Sequence, residues 1–201
     1  MNKKILFGIL AIGLVALAVG WGTYSQFSDT ETNQVTFSAG SLDLTINDYN
    51  GVTVNFSATN LKPGSQPKWK LRLNNIGTIN GYLDISNITV VSEENGLTEP
   101  EQEAGDTSAD EGELDDVLNI RIFLDKDSDG WWSTGDVMIY NGRVSGIASS
   151  YDLNEPIEAG GGVEFIAEIY DWWPGRSAVN DNQAQTDTLS ITFTFMLSQN
   201  P

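Results

Sequence analysis

The stretch TLSITFTFML, residues 188–197, decides the fold class of this chain because its apolar side chains recur at every second position. The alternating apolar residues are Leu189, Ile191, Phe193, Phe195 and Leu197. Threonine, serine and Met196 fill the positions between them. Successive side chains of a β-strand point to opposite faces, so this pattern predicts a strand with one buried face.

The same period of two recurs along most of the chain. Further strands are predicted from the alternating apolar sets within residues 42–46, 52–56, 69–73, 118–124 and 163–169, with another beginning at Val137.

Residues 81–91 also have an extended pattern, although their apolar phase shifts after Ile85, which predicts a bulge near Asn87. No segment after the first 25 residues shows a helical period. Sheets with one apolar face must cover one another, and roughly eight short strands separated by Gly, Pro, Asn and Asp turns are enough for two of them. We therefore predict an all-β fold, a β-sandwich of jelly-roll type.

The first residues have the organisation of a secretory leader. Lys3 and Lys4 precede the apolar run 5–20, and Thr23 and Ser25 form a small-residue exit for signal peptidase. We expect cleavage after Ser25, which removes residues 1–25 and leaves no membrane attachment. The alternative is a retained membrane anchor, because the uncharged stretch 5–28 is long enough to span a bilayer. Either interpretation places the folded part outside the cytoplasm, and its length predicts one domain, residues 39–201.

Composition excludes several function classes. The chain carries 28 acidic and 10 basic side chains, a formal net charge of −18, and contains neither cysteine nor histidine. Nucleic-acid binding depends on basic side chains that displace counterions, so no nucleic-acid partner is expected. Without His or Cys, a Ser-His-Asp triad, a cysteine nucleophile or a His-ligated zinc site cannot be built. We therefore predict a non-enzymatic protein whose carboxylates offer sites to hard cations.

An acidic segment, residues 93–116, interrupts the strand pattern with eleven carboxylates and few apolar side chains. Such a segment cannot bury enough apolar surface to fold alone. A solvated loop is one interpretation, and a patch that binds cations or contacts another subunit is the other.

The most specific motif is DKDSDGWWSTGD, residues 125–136, which we call the Asp loop. Acidic residues occupy positions one, three, five and twelve of a calcium-loop spacing, with Gly130 at the sharp turn at position six. The predicted Ca2+ ligands are Asp125, Asp127, Asp129, the Trp131 carbonyl and Asp136. Unlike an EF-hand, this loop lies between predicted strands and ends in Asp instead of Glu, which predicts weaker affinity. The alternative is an acid-rich turn without a metal.

Several segments follow the order and spacing of a known family. They are GTYSQFSDTETNQVTFSAGSLDLTI (22–46), NLKPG (60–64), LNNIGTINGYL (73–83) and NDNQAQTDTLSITFTF (180–195). Together they resemble the TasA and camelysin family of secreted fibre proteins, whereas the acidic segment and the Asp loop lack a clear counterpart there. The resemblance implies a jelly-roll subunit that polymerises into extracellular fibres of biofilm matrices or into pilus-like threads.

The resemblance also implies how the subunits join, with the N-terminal segment of one molecule pairing as a strand with the next. Residues 26–38 would then be the donor strand, with Phe27, Val35 and Phe37 in apolar pockets and the backbone completing an open sheet edge. The alternative is that this segment forms the first strand of its own domain. The expected partner is a homopolymer, and lateral bundling of filaments could use the cationic positions 62, 68, 70 and 72 against the acidic segment of a neighbour.

Some members of the family are described as metallopeptidases. This sequence has no HExxH motif and no histidine, so no protease activity is expected. The second function considered is a calcium-stabilised cell-surface carbohydrate-binding or adhesion module, since the pairs Trp131–Trp132 and Trp172–Trp173 lie beside loops. The alternative for each pair is one ring in the core and one in a subunit interface.

Two sequons could carry glycans outside the cell. They begin at Asn55 (Asn-Phe-Ser) and Asn87 (Asn-Ile-Thr), and Asn55 is expected on the polar face of its strand. Chance occurrence of so short a motif is the alternative.

Overall fold

Strands dominate the computed structural model, which describes residues 39–59, 61–62, 64–171 and 181–201. Its strands are β1 (Leu44–Ile46), β2 (Tyr49–Asn50), β3 (Thr53–Ala58), β4 (Lys68–Asn75), β5 (Gly81–Glu93), β6 (Asn119–Asp125), β7 (Val137–Arg143), β8 (Tyr151–Ile157), β9 (Gly162–Asp171) and β10 (Thr188–Ser198). Two short helices, α1 (Glu99–Glu103) and α2 (Leu114–Val117), lie between β5 and β6. Single 3-10 turns occur at Val144–Gly146 and Asp181–Ala184.

The strands form two antiparallel sheets. One has the order β2-β1-β4-β9-β6-β7 and the other the order β3-β10-β5-β8. In the smaller sheet, the last strand lies between β3 and β5, so strands from both ends of the sequence are interleaved as in a jelly roll. The prediction of an all-β, jelly-roll-like sandwich is confirmed.

The core lies between the sheets and is centred on phenylalanine rings. Phe193 and Phe195 of β10 contact Phe165 of β9, with ring centroids 5.1 and 5.0 Å apart. Phe56 of β3 lies 5.5 Å from Phe193 and stacks on Trp69 of β4 at the same separation. The alternation that predicted β10 is confirmed, because its apolar side chains from Leu189 to Phe195 are buried.

The bulge predicted near Asn87 is also confirmed. Thr194 of β10 pairs with Asn87, whereas the next residue, Phe195, pairs with Ile85, so Ser86 is the extra residue. The bulge lets both Ile85 and Ile88 face the core although they are three positions apart.

Strand β8 had no clear sequence signal. It contains Pro156, and although burial alternates regularly along the strand, the charged Glu155 occupies one of the inward positions. A proline cannot donate to a ladder hydrogen bond, and β8 tolerates one because it is the edge strand of the smaller sheet.

The acidic segment is not a solvated loop, and that interpretation is wrong. Leu114 and Val117 of α2 are buried, and Glu101 of α1 is fully buried. Thr98 precedes α1 and donates its backbone N–H to Glu101 Oε2 at 2.5 Å, which stabilises the first turn. The two helices are too short to give a helical period in the sequence. Leu114 and Val117 of α2 pack into the core of the sandwich, whereas α1 packs against the 3-10 turn Asp181–Ala184.

The described residues belong to one compact unit, Ala39–Pro201. The predicted leader (1–25) and donor strand (26–38), including Phe27, Val35 and Phe37, lie outside the described residues. Within the described part of the chain, no helix combines the length and apolar character needed to cross a bilayer.

Candidate metal centres and open sheet edges

The Asp loop connects β6 to β7 as a long hairpin, as its predicted flanking strands require. Asp125, the last residue of β6, is 1% exposed. Its Oδ1 accepts the Ser128 N–H and its Oδ2 accepts the Gly130 N–H, both at 2.7 Å. Ser128 and Gly130 have φ angles of 60° and 84°, so the left-handed backbone curls the loop around the Asp125 carboxylate.

Three of the predicted ligands lie together. Asp125, Asp127 and Asp136 each place a carboxylate oxygen within 4.8 Å of the other two. Asp136 is held by two backbone donors, Lys126 N–H at 2.9 Å and Ser133 N–H at 2.7 Å. Asp127 is exposed and accepts the Asp129 N–H at 3.3 Å.

The other two predicted ligands have different surroundings. Asp129 lies outside this group of three, and its Oδ1 accepts the Trp131 N–H at 2.7 Å. Coordination by Asp129 and by the Trp131 carbonyl stays a prediction.

The pKa values of two carboxylates in the loop, Asp125 and Asp127, are shifted in opposite directions. Burial favours the protonated form of Asp125, but the Gly130 and Ser128 amides outweigh it and lower its pKa. The Asp129 amide lowers the pKa of Asp127, but lost hydration, the Asp125 carboxylate and the charges of Asp129 and Asp136 together raise it. Carboxylates held this close together repel one another when both are charged, which is one reason that the pKa of Asp127 is raised.

The Asp loop folds back over the outer face of the larger sheet. Lys68 Nζ of β4 donates to the Gly130 carbonyl at 2.7 Å and lies 4.0 Å from the centre of the Trp131 ring. Trp132 packs edge-on against Phe123 of β6, with ring centroids 5.7 Å apart. Trp131 and Trp132 are 68% and 38% exposed, so the expectation of a core ring in this pair is wrong. The pair Trp172–Trp173 lies outside the described residues.

A shallow groove of about 270 Å³ runs beside Trp131. It is lined by Gln66, Lys68, Arg121, Trp131, Glu168 and Tyr170, among others. The Arg121 guanidinium lies 4.8 Å from the Tyr170 ring centre and 3.1 Å from Glu168 Oε1. Exposed aromatic and polar groups therefore share one surface.

Two of the cationic positions on β4 are already paired within the sheet. Lys68 contacts Glu168 at 2.9 Å and Lys70 contacts Glu164 at 2.5 Å, both on the neighbouring strand β9. These partners leave less unpaired positive charge for a neighbouring filament than the sequence indicated.

A group of carboxylates that the sequence did not single out meets at the acidic segment. Glu94, Glu101 and Asp187 form one close set, and Glu94, Asp106 and Glu113 form another. Burial is the main reason that the pKa of Asp187 is raised to about 7, with Glu94, Glu113 and Glu101 adding to it. Burial and neighbouring carboxylates also raise the pKa values of Glu94 and Glu113. Four of these five carboxylates lie within the acidic segment. Asp187 could not be grouped with them from the sequence because it is far away along the chain.

Both sequons are accessible. Asn55 lies exposed on the outer face of β3, as predicted, and its Oδ1 accepts a hydrogen bond from Ser190 Oγ at 2.9 Å. Asn87 lies exposed beside the bulge, with its Nδ2 3.3 Å from Thr89 Oγ1. Glycosylation of either stays a prediction.

Strands β3 and β7 end their sheets with one ladder side unpaired. β3 pairs with β10 alone and β7 with β6 alone among the described strands. In β7, Val137, Ile139 and Tyr140 are only partly buried although they pack against the core. The remaining edges are poorer templates, because β2 has two residues and β8 contains Pro156.

Comparison with known proteins adds independent information. A relative from Bacillus subtilis (strain 168), described as a major biofilm matrix component, is 35% identical over 79 residues. The match covers 39% of this chain and 29% of that relative's length. The model of the family described as camelysin metallo-endopeptidase matches residues 1–129, which is more than half of the chain. On that match, the chain belongs to the camelysin/TasA family.

Proposed function

We propose that this chain is a non-enzymatic structural subunit of an extracellular filament, a biofilm-matrix fibre or a pilus-like thread, and that residues 26–38 of one molecule add a strand to the next. Family membership and the similarity to a biofilm matrix component support the structural role. The ladder sides of β3 and β7 that no described strand pairs are the observation that carries the mechanism, because strand addition needs unpaired backbone groups on a sheet of useful length.

The donor sequence suits such an edge. Phe27, Val35 and Phe37 differ by even numbers of positions, so a continuous strand presents all three on one face. On the acceptor side, Val54 of β3 and Ile139 of β7 are apolar and only partly buried. Covering them with donated side chains removes apolar surface from water and closes an aggregation-prone edge in a directed way.

The family name includes a peptidase activity, which the residues of this chain do not support. The whole sequence lacks histidine and cysteine, the usual ligands of a catalytic zinc ion. Carboxylates alone favour harder cations such as Ca2+. We therefore assign the Asp loop a structural calcium ion, held by Asp125, Asp127 and Asp136, that fixes the hairpin between β6 and β7.

Deletion of residues 26–33 tests the proposal. The truncated protein should be a soluble monomer with the unfolding profile of the full-length domain, whereas the unmodified protein should form threads visible by negative-stain microscopy. Filaments from the truncated protein would show that this segment is not the donor.

Cysteine pairs identify the acceptor edge, because the natural chain has no thiol. Thr36→Cys in the donor is combined with Ser57→Cys on β3 or with Asn141→Cys on β7, both exposed positions. One pair should give a ladder of disulfide-linked subunits in filaments, and the truncated protein should give none with either.

A carbohydrate-binding or adhesion module is the second candidate. The observation in its favour is the 68% exposed Trp131 beside the groove lined by Lys68 and Arg121, since an aromatic face can stack on a sugar ring. The same microscopy separates the two functions: regular threads support the subunit, and a dispersed protein that binds glycans supports the module.

A further inference from the structure

Five carboxylates from separate parts of the structure meet at the acidic segment. Their residues are Glu94 after β5, Glu101 in α1, Asp106 after α1, Glu113 before α2 and Asp187 before β10. Within each of the two sets of three, one oxygen per residue lies within 4.8 Å of the others, and Glu94 belongs to both sets. We call these five residues the buried carboxylate cluster.

Two members of the cluster are almost completely buried and only half satisfied. Asp106 and Asp187 are 4% and 2% exposed. Asp106 Oδ1 accepts the N–H of Ser108 at 2.8 Å, and Asp187 Oδ2 accepts the N–H of Glu113 at 2.7 Å. Their other oxygens, Asp106 Oδ2 and Asp187 Oδ1, are buried without a hydrogen-bond donor. A buried charged oxygen without a hydrogen-bond partner costs folding free energy, and a cation bound to these two oxygens would remove that cost.

Glu113 repeats the arrangement. Its Oε1 accepts a hydrogen bond from Ser108 Oγ at 3.2 Å, whereas its Oε2 is buried without a donor. Three carboxylates are thus each fixed through one oxygen while the second stays available, which is how a protein orients ligands before an ion binds.

The backbone is built closely around Asp187. A Cβ atom at Gly112 would come within 2.9 Å of the Asp187 carboxyl carbon and Oδ2, so a side chain there would displace the carboxylate.

The cations of Lys68, Lys70 and Arg121 are paired with Glu164 and Glu168, and that of Lys126 with Glu155. These four side chains therefore do not neutralise the cluster.

We propose that the buried carboxylate cluster is a second divalent-cation site, separate from the Asp loop, and that its ion is Ca2+. Calcium takes six to eight oxygen ligands at about 2.3–2.6 Å, so oxygens on opposite sides of the ion are about 5 Å apart. Within each set of three, the carboxylate oxygens lie within 4.8 Å of one another, so they fall inside that diameter. The purely carboxylate donor set favours Ca2+ over zinc, which prefers nitrogen and sulfur ligands.

The position of the site gives it a structural consequence. Glu101, Asp106 and Glu113 belong to the acidic segment, whereas Asp187 begins the approach to β10 at the centre of the smaller sheet. An ion at the cluster would connect the acidic segment to the start of β10, since Glu113 and Asp187 are 74 positions apart in the sequence. The order of α1 and α2 then depends on calcium.

Counting bound calcium on the purified chain by native mass spectrometry or equilibrium dialysis tests the proposal. The wild-type protein should bind two ions, Asp127→Ala should bind one, and Asp187→Asn added to Asp127→Ala should bind none. Asp110→Asn is the matched control, because Asp110 is an exposed carboxylate of the same segment and its loss should leave the count unchanged. Retention of the last ion in the protein that carries both Asp106→Asn and Asp187→Asn with Asp127→Ala would overturn the assignment.

If the Asp187 variants do not fold, amide hydrogen exchange measured on the Asp127→Ala protein tests the same site without them. In the Asp127→Ala protein, calcium should slow amide exchange in residues 101–117, and the absence of any slowing would refute the second site. If the wild-type protein binds one calcium ion and the Asp127→Ala protein still binds it, the calcium site in the Asp loop is refuted and the site in the buried carboxylate cluster is supported. Failure of the filament proposal changes neither count, so the two are tested separately.

Discussion

Replacing Asp127 by alanine isolates the contribution of the Asp loop to stability. Asp127 is the suitable position because it is exposed and accepts only two long hydrogen bonds, from the Asp129 N–H at 3.3 Å and from Ser133 Oγ at 3.4 Å, so its loss should leave the metal-free fold intact. Asp125 would be a poor choice, since it is buried and holds the amides of Ser128 and Gly130.

The expected magnitude follows from ligand linkage and from the size of the folded unit. Calcium at one hundred times its dissociation constant stabilises the folded state by about 2.7 kcal/mol per site. Unfolding entropy is about 2.1 cal/mol/K per residue. For the unit Ala39–Pro201, this corresponds to a rise in Tm of roughly 3 °C per kcal/mol, and hence of about 8 °C per calcium site.

The assay is thermal unfolding by circular dichroism or calorimetry, in excess calcium and in chelator. Asp127→Ala should lower the calcium-induced rise in Tm by about 8 °C, and the share due to the buried carboxylate cluster should remain. Asp152→Asn, a change at an exposed carboxylate on β8, is the control that should keep the full rise. An equal calcium-induced rise in wild type and Asp127→Ala would refute the reasoning.

Two further predictions concern the sandwich. Phe165→Ala should destabilise the fold by roughly 3–5 kcal/mol in urea unfolding, because a fully buried ring that contacts Phe193 and Phe195 is replaced by a cavity. Phe165→Leu should cost less, and a loss below about 1 kcal/mol for the alanine variant would place the core elsewhere. Burial, with Tyr151 and Tyr170 nearby, raises the pKa of Tyr140 above its usual value of 10.0. Its contribution to stability is therefore complete below pH 10 and is lost as the pH rises through the raised pKa. Absorbance titration should show a late tyrosinate step that Tyr140→Phe removes, and a single common step for all tyrosines would contradict it.

Much of the fold could be predicted because side-chain alternation is a local property of a strand. The pattern of residues 188–197 identified β10 and its buried face, and the phase shift after Ile85 located the bulge. β8 escaped prediction because the charged Glu155 occupies an inward position of its alternating pattern and because Pro156 is unfavourable in a strand, although an edge position tolerates it.

The candidate sites divide in the same way. The Asp loop could be identified from the sequence because its carboxylates lie within twelve positions. The motif alone could not show that Asp129 accepts the Trp131 N–H while Asp125, Asp127 and Asp136 lie together.

The sequence by itself determined the all-β class, the acidic surface, the missing zinc ligands and the calcium-type loop, since each depends on residue types or short-range spacing. Only the tertiary structure decided that β3 and β7 each have one side that no described strand pairs, and that Asp187 lies beside Glu113 and Glu94. The physical reason is that strand order and carboxylate clustering arise from contacts between residues far apart in the chain, and such contacts leave no local period or motif behind.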